Sequence, residues 1–330
     1  MHRFSIFVRT IIKLTLGQTT TSTEVMVAMK LSLLILMMIS RSYGFIVKSR
    51  LSSISTLLHL SSTSSITTSV VPTETVSLSK ENTLLPRVVL KTLPKVYVYD
   101  HCPFCVRVRL ALGLKNIKHD VIYFANDDVD TPTKLVGKKI APIFEYSDVI
   151  PPMPESLDII KKIDSDPTFG PINFFKPASN RVDIAEWQKK VAAINRIIQR
   201  PRYMLTILPE FASRDGKNAF VKNHPLEPYD KSTWKNDLND DQRWDLYNKA
   251  YIQSFDLINE ANEALKELDS MIYSIDYCTE GGLSYDDIDL WSRLRSVTLV
   301  KGIIIPLKLD SYLKNLSTLA DLPLYYSIAN

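Results

Sequence analysis

Residues 95–114 read KVYVYDHCPFCVRVRLALGL, and few folds accommodate such a stretch. Val96, Tyr97, Val98 and Tyr99 form a β-branched and aromatic run that fits a buried strand. Pro103 suits the first position of a helix, where its missing N–H costs nothing. Val106, Leu110 and Leu114 then share one helical face, with Arg107, Arg109 and Lys115 expected in water. Cys102 is thereby set at the N-cap and Cys105 at the end of the first turn. Unpaired N–H groups and the positive end of the helix dipole favour a thiolate at Cys102. A cysteine so placed titrates well below the free value of about 8.5. Cys105 is close enough to close a small disulfide ring with it.

The alternation continues downstream. Residues 119–124 read as a strand, Thr131-Pro132 opens a short helix that Gly137 stops, and 140–144 (IAPIF) reads as another strand. Met153-Pro154-Glu155-Ser156 opens a helix with Leu157, Ile160 and Ile163 inward. The order β-α-β-α-β-(β)-α is that of an α/β thioredoxin-like domain. A structural zinc needs two further ligands beside Cys102 and Cys105. Only Cys278 and scattered histidines remain, so no metal is expected. His101 reads as a partly exposed loop residue, and Cys278 as a bystander.

CPFC after a strand, then Ala141-Pro142, then Glu155-Ser156 at a helix start together resemble glutaredoxin. YDHCPFCVRVRLALGLKNI, NDDVDTPTKLVGKK and MPESLDIIKKID resemble specifically the large two-domain bacterial glutaredoxin-2 type. The resemblance covers roughly residues 95–330. It implies a cis Pro142 facing the cysteine pair and Ala141 pairing by backbone with the cysteinyl part of glutathione. It further implies that Glu155 and Ser156 hold the γ-glutamyl end, with Lys139 or Lys138 at the glycyl carboxylate. The proline within the motif, in this family, disfavours an iron–sulfur cluster shared between two protomers.

Beyond a linker near 166–180 the chain reads as all-helical and glutathione-transferase-like. Ile184, Trp187, Val191, Ile194 and Ile198 mark an amphipathic helix that Pro201 is expected to end, with a second helix over about 203–222. Residues 223–241 read as a polar loop. A long helix follows with Trp244, Tyr247, Tyr251, Phe255, Ile258, Leu265, Leu268 and Ile272 inward. Ser284-x-x-Asp287 forms a capping box that opens a core helix.

The 330 residues include 45% apolar and 23% charged side chains, the balance of a globular protein. Net charge is +4, but residues 1–73 hold seven Lys/Arg against Glu24, so the remainder is near neutral and offers no nucleic-acid footprint. Lys30, the run LSLLILMMIS and RSYGF form a signal-peptide pattern, too short for a membrane anchor. A basic, Ser/Thr-rich tract opens at Phe45. This order resembles the bipartite presequence of complex plastids, with mitochondrion or cytoplasm as alternatives. Domains are therefore expected at 1–90 (presequence and disordered segment), 91–166 (thioredoxin-like) and 167–330 (helical). The expected activity is glutathione-dependent thiol–disulfide exchange, with Cys102 attacking and Cys105 resolving. Its partners would be glutathione and glutathionylated or disulfide-containing proteins. A cysteine-type glutathione transferase or dehydroascorbate reductase is the alternative enzyme. A non-catalytic partner- or membrane-binding member of the fold is the alternative class.

Overall fold

The computed structural model describes residues 85–330, so most of the expected presequence lies outside the described residues. Its last residues do not. Val88 exchanges backbone hydrogen bonds with Asn116 (3.0 Å) and Lys118 (2.9 Å), and Val88 and Leu90 pack on the main core. The folded chain thus includes residues ahead of the expected start at 91, because these two apolar side chains cover the exit of the first helix.

Four strands form one sheet in the order β2-β1-β3-β4. They are β1 (Lys95–Val98), β2 (Asp120–Tyr123), β3 (Ile143–Glu145) and β4 (Met153–Pro154). β1 pairs parallel with β2 and antiparallel with β3, and β4 closes the edge. Helix α1 (Pro103–Leu114) is the crossover from β1 to β2; α2 (Asp130–Val136) and α3 (Ser156–Ser165) follow. β3 starts later than expected because Pro142 has no N–H to give a ladder. On α3 the inward stripe is Ser156, Ile159, Ile160 and Ile163, which turns Leu157 outward, contrary to expectation.

The basic residues of α1 also depart from expectation. Lys115 is fully buried, donating to Asp164 (3.2 Å) and the Pro171 carbonyl (2.6 Å). Arg107 is buried against Asp289, and Arg109 pairs with Asp100. A second layer covers Arg107, and α3 with the turn after it covers Lys115, so charge had to be met by charge.

That layer comprises α4 (Val182–Leu205), α5 (Arg214–Asn223), α6 (Lys231–Asn236), α7 (Asp240–Met271), α8 (Tyr285–Leu294) and α9 (Leu307–Leu319). α4 continues through Pro201 instead of ending there. The lost backbone bond is offset by burial of Ile198, Tyr203 and Met204 and by the Arg202 guanidinium. That group donates to the Ile198 carbonyl and to Ser254 Oγ, both at 2.7 Å. It also covers Tyr251 and Phe255 at 5.1 and 5.5 Å, which explains why Phe255 sits half in water rather than in the core. The expected loop 223–241 contains α6, capped by Asp230 and holding the buried Trp234, whose Nε1 donates to the Val221 carbonyl at 2.7 Å. The Ser284–Asp287 capping box is present, and Asp287 also accepts from the Cys278 amide at 2.7 Å and Tyr312 Oη at 3.1 Å. No helix of the described residues is long and apolar enough to cross a membrane.

The two layers meet at α1. Gly113 lies so close to the Ala320 carbonyl at the end of α9 that a Cβ would overlap it. At the other end of α1, buried Asp100 meets the helical layer. Arg295 donates to its carbonyl (2.8 Å) and carboxylate (3.3 and 3.4 Å), and Tyr325 Oη donates to its Oδ2 (2.8 Å). Burial alone would raise the Asp100 carboxyl; Arg295, Arg109 and Tyr325 prevail and hold it below the usual range.

Removing one partner of a buried ion pair costs roughly 3–5 kcal/mol. Arg295→Met is expected to lose that much in equilibrium urea unfolding; a loss under about 1 kcal/mol, the size of a surface pair, would refute a structural role. The depressed Asp100 carboxyl contributes stability above its unfolded value of about 4 and loses it as pH falls through the folded value. Arg295→Met should therefore also flatten the acid side of the stability profile.

Candidate active site

Cys102 sits at the N-cap of α1 with extended backbone (φ −74°, ψ 119°), and Pro103 opens the helix. Its carbonyl accepts the Val106 amide at 2.9 Å, so the first turn is closed around it. Cys102 is half-buried while Cys105, one turn behind, is fully buried; both are free thiols. Cys105 Sγ accepts the Tyr99 amide at 3.4 Å.

The two sulfurs are driven apart in acidity. The Cys102 thiol is brought down to about 6, first by the bond from Cys105 and then, against burial, by the field of His101 and the amides of Cys105 and Phe104. Burial, the bond to Cys102 and the charge there push Cys105 well above its ordinary value. One thiolate and one thiol facing each other is the arrangement that a helix start over an apolar core produces.

His101 is buried, contrary to the exposed loop position expected of it. Its Nδ1 lies 2.6 Å from Glu210 Oε1, and its backbone N–H donates to the same oxygen at 2.9 Å. Glu210 belongs to a short 3₁₀ turn, Pro209–Phe211, between α4 and α5. Nothing local in LPEF marks that glutamate, and only tertiary packing brings it to the cysteine motif.

Cys102 opens onto a cleft of about 640 Å³ between the sheet domain and α4. Cys102, Lys139 and Ala141 line one wall, and Gln188, Asn195 and Gln199 the other. The Ala141–Pro142 bond is cis. Lys139 Nζ donates to the Asn126 carbonyl at 2.6 Å. Glu155 and Ser156 do not line this cleft. The β3–β4 ladder ends at the Ile143–Pro154 pair, and Glu155 follows it at the start of α3. Glu155 is exposed, 3.3 Å from Lys138 Nζ, and Ser156 is buried with its Oγ 3.5 Å from Arg107. Glu155 holds φ 72°, a left-handed conformation uncommon for a residue with a side chain. Cys278 is buried away from the cleft, its thiol pushed far up by burial. Among the described residues no group of three His, Cys, Asp or Glu side chains could hold a metal ion.

Two family models match this chain: "Glutaredoxin 2, C terminal domain" over residues 183–329 and "Glutathione S-transferase, N-terminal domain" over 96–168. Glutaredoxin 2 of Escherichia coli strain K12 is 32% identical over 238 residues, covering 71% of this chain and 99% of that protein. The crystal structure of glutaredoxin 2 from Salmonella typhimurium in complex with glutathione superposes with a TM-score of 0.62 at 30% identity. It spans 73% of this chain and all of that one.

The divided acidity of the pair is open to direct measurement. Iodoacetamide is expected to alkylate Cys102 with a rate midpoint near 6 and to leave Cys105 unmodified in the folded protein. A midpoint near the free-cysteine value of about 8.5 would show that the helix start does not activate the thiol.

Proposed function

The chain belongs to the glutaredoxin 2 family and is a glutathione-dependent oxidoreductase; we propose that Cys102 is its attacking thiol and Cys105 its resolving thiol. The observation that carries this reading is the lowered Cys102 thiol at the mouth of the cleft, with Cys105 buried behind it. Cys102 thiolate attacks the glutathione sulfur of a mixed disulfide. That S–S bond breaks, the substrate thiolate leaves and takes a proton from water, and Cys102 carries the glutathione. A second glutathione thiolate attacks the same glutathione sulfur, releasing oxidised glutathione and restoring Cys102. Reduction potentials of glutaredoxins, about −200 to −230 mV, lie within reach of a glutathione pool.

A protein disulfide follows a branch. Attack by Cys102 leaves a mixed disulfide between enzyme and substrate, and Cys105 thiolate then attacks the Cys102 sulfur. The substrate's second thiolate departs and two glutathiones reduce the Cys102–Cys105 bond. Cys105 is held protonated first by burial and then by its bond to Cys102 and the charge there. Once Cys102 is bonded to another sulfur, the last two influences vanish, which eases deprotonation of the resolving thiol.

Glutathione is proposed to lie along Ala141, with its γ-glutamyl end at Glu155 and Ser156 and its glycyl carboxylate near Lys139. The left-handed turn at Glu155, which directly follows the Ile143–Pro154 pair, supports this placement. Lys138 is then the partner that a ligand ammonium displaces from Glu155.

Cys102→Ser should abolish all thiol exchange. Cys105→Ser should retain reduction of a glutathionylated substrate, which needs one thiol, and lose most reduction of protein disulfides. Equal loss of deglutathionylation in both variants would overturn the assignment.

Glu155→Ala should raise KM for glutathione roughly tenfold, the loss of one charge-assisted bond of about 1.5 kcal/mol. An unchanged KM would place the γ-glutamyl group elsewhere.

A further inference from the structure

Glu210 is fully buried, yet only one of its carboxylate oxygens is bonded. Oε1 accepts the His101 backbone N–H at 2.9 Å and lies 2.6 Å from His101 Nδ1, while Oε2 has no partner. A carboxylate with an unpaired oxygen in the interior is costly, and stability alone would be served better by a neutral side chain. The turn that carries it is fixed as well, since the Glu210 carbonyl accepts the Asn126 amide at 3.0 Å.

His101 stands in an aromatic cage. Tyr203 of α4, Phe211 and Phe220 of α5 lie 5.0, 5.1 and 5.1 Å from its ring. The ring is thus held by aromatic contacts and by the Glu210 carboxylate. The field that His101 presents to the adjacent Cys102 therefore depends on how Glu210 holds the ring.

We propose that Glu210 is a positioning residue for the thiol chemistry: its two-point grip on His101 holds the imidazole beside the Cys102 thiolate. This rests on the reading of Cys102 as the attacking thiol. The helical layer thus acts on the nucleophile itself as well as forming the far wall of the cleft.

Other titratable groups facing His101 are Tyr99 at 6.1 Å from the end of β1, Tyr203, Cys102 and His224 of α5. His224 is pushed down to about 3, chiefly by burial, so it stays neutral across the working range. Burial raises Tyr99 and Tyr203, which remain neutral too. Glu210 is thus the carboxylate that contacts His101 from the helical side. Its own negative charge opposes a thiolate, but that opposition is felt at Cys105, whereas His101 acts on Cys102.

Glu210→Gln in the full chain keeps the volume and an acceptor for the His101 amide while removing the charge. The midpoint of Cys102 alkylation by iodoacetamide should rise by about one pH unit, the effect of one opposite charge at short range. Turnover should fall near neutral pH and recover at higher pH, with KM for glutathione unchanged. His101→Gln should raise the midpoint similarly, and the double variant should rise no further than either single one. An unchanged midpoint in Glu210→Gln overturns the proposal, even if its thermal midpoint falls, as does an additive shift in the double variant. Should Glu210→Gln fail to fold, an unchanged midpoint in His101→Gln overturns it alone. A wild-type midpoint near that of free cysteine would instead remove the reading of Cys102 on which it rests.

Discussion

The contact on which the rest of the structure depends is the buried meeting of Asp100 with Arg295. Two opposite charges are taken out of water at the turn between β1 and α1, which is expensive unless every lone pair and hydrogen is met. Here the meeting is well provided for. Arg295 reaches both the carbonyl and the carboxylate of Asp100, passes a further bond to the Pro323 carbonyl, and is flanked by Tyr325. The residue that follows Asp100 is His101, held by Glu210, and the next is Cys102. The cysteine motif is thus fixed from behind by side chains 109 to 225 positions away in sequence. The helical layer forms a wall of the cleft and also holds the turn that carries Cys102.

Given that fixed turn, the chemistry follows from where each sulfur lies. Cys102 occupies the last position before the helix, where amides point at it and one side is open to the cleft. Cys105 occupies the first interior position, under the sheet, with the Tyr99 amide as its polar company. Burial penalises an anion at the second site, and the helix start favours one at the first. Two residues of identical chemistry become a thiolate and its proton-bearing partner because one helical turn separates solvent from core.

The first domain was largely legible in the sequence because its elements are short and its punctuation is strong. Pro103 and Gly137 mark a helix start and a helix end, and the β-branched run 95–99 has no other reading. Where expectation failed, another element had covered a residue that the sequence presents as polar. Lys115, Arg107 and His101 are each buried because a carboxylate from elsewhere, Asp164, Asp289 or Glu210, meets them. The helical half was less legible for the same kind of reason. Pro201 lies inside α4 because packing and the Arg202 bonds outweigh one lost backbone bond, and Phe255 leaves the core to lie beneath the Arg202 guanidinium. Trp234 converts a stretch of polar composition into a helix with a core residue.

The sequence by itself determined that a thiol would stand at a helix start with a second thiol one turn behind. Strand propensity, a proline at the first helical position and the three-residue spacing are local facts. It likewise determined the order of the elements that follow and hence the sheet. Tertiary structure alone decided what that thiol is next to: which carboxylate grips His101, which guanidinium neutralises Asp100, and which helix closes the cleft. Those partners are distant in the chain and chemically ordinary where they occur. A glutamate in LPEF or an arginine in SRLRS carries no mark of its role until folding removes the water around it, and the strength of a charge depends on that removal.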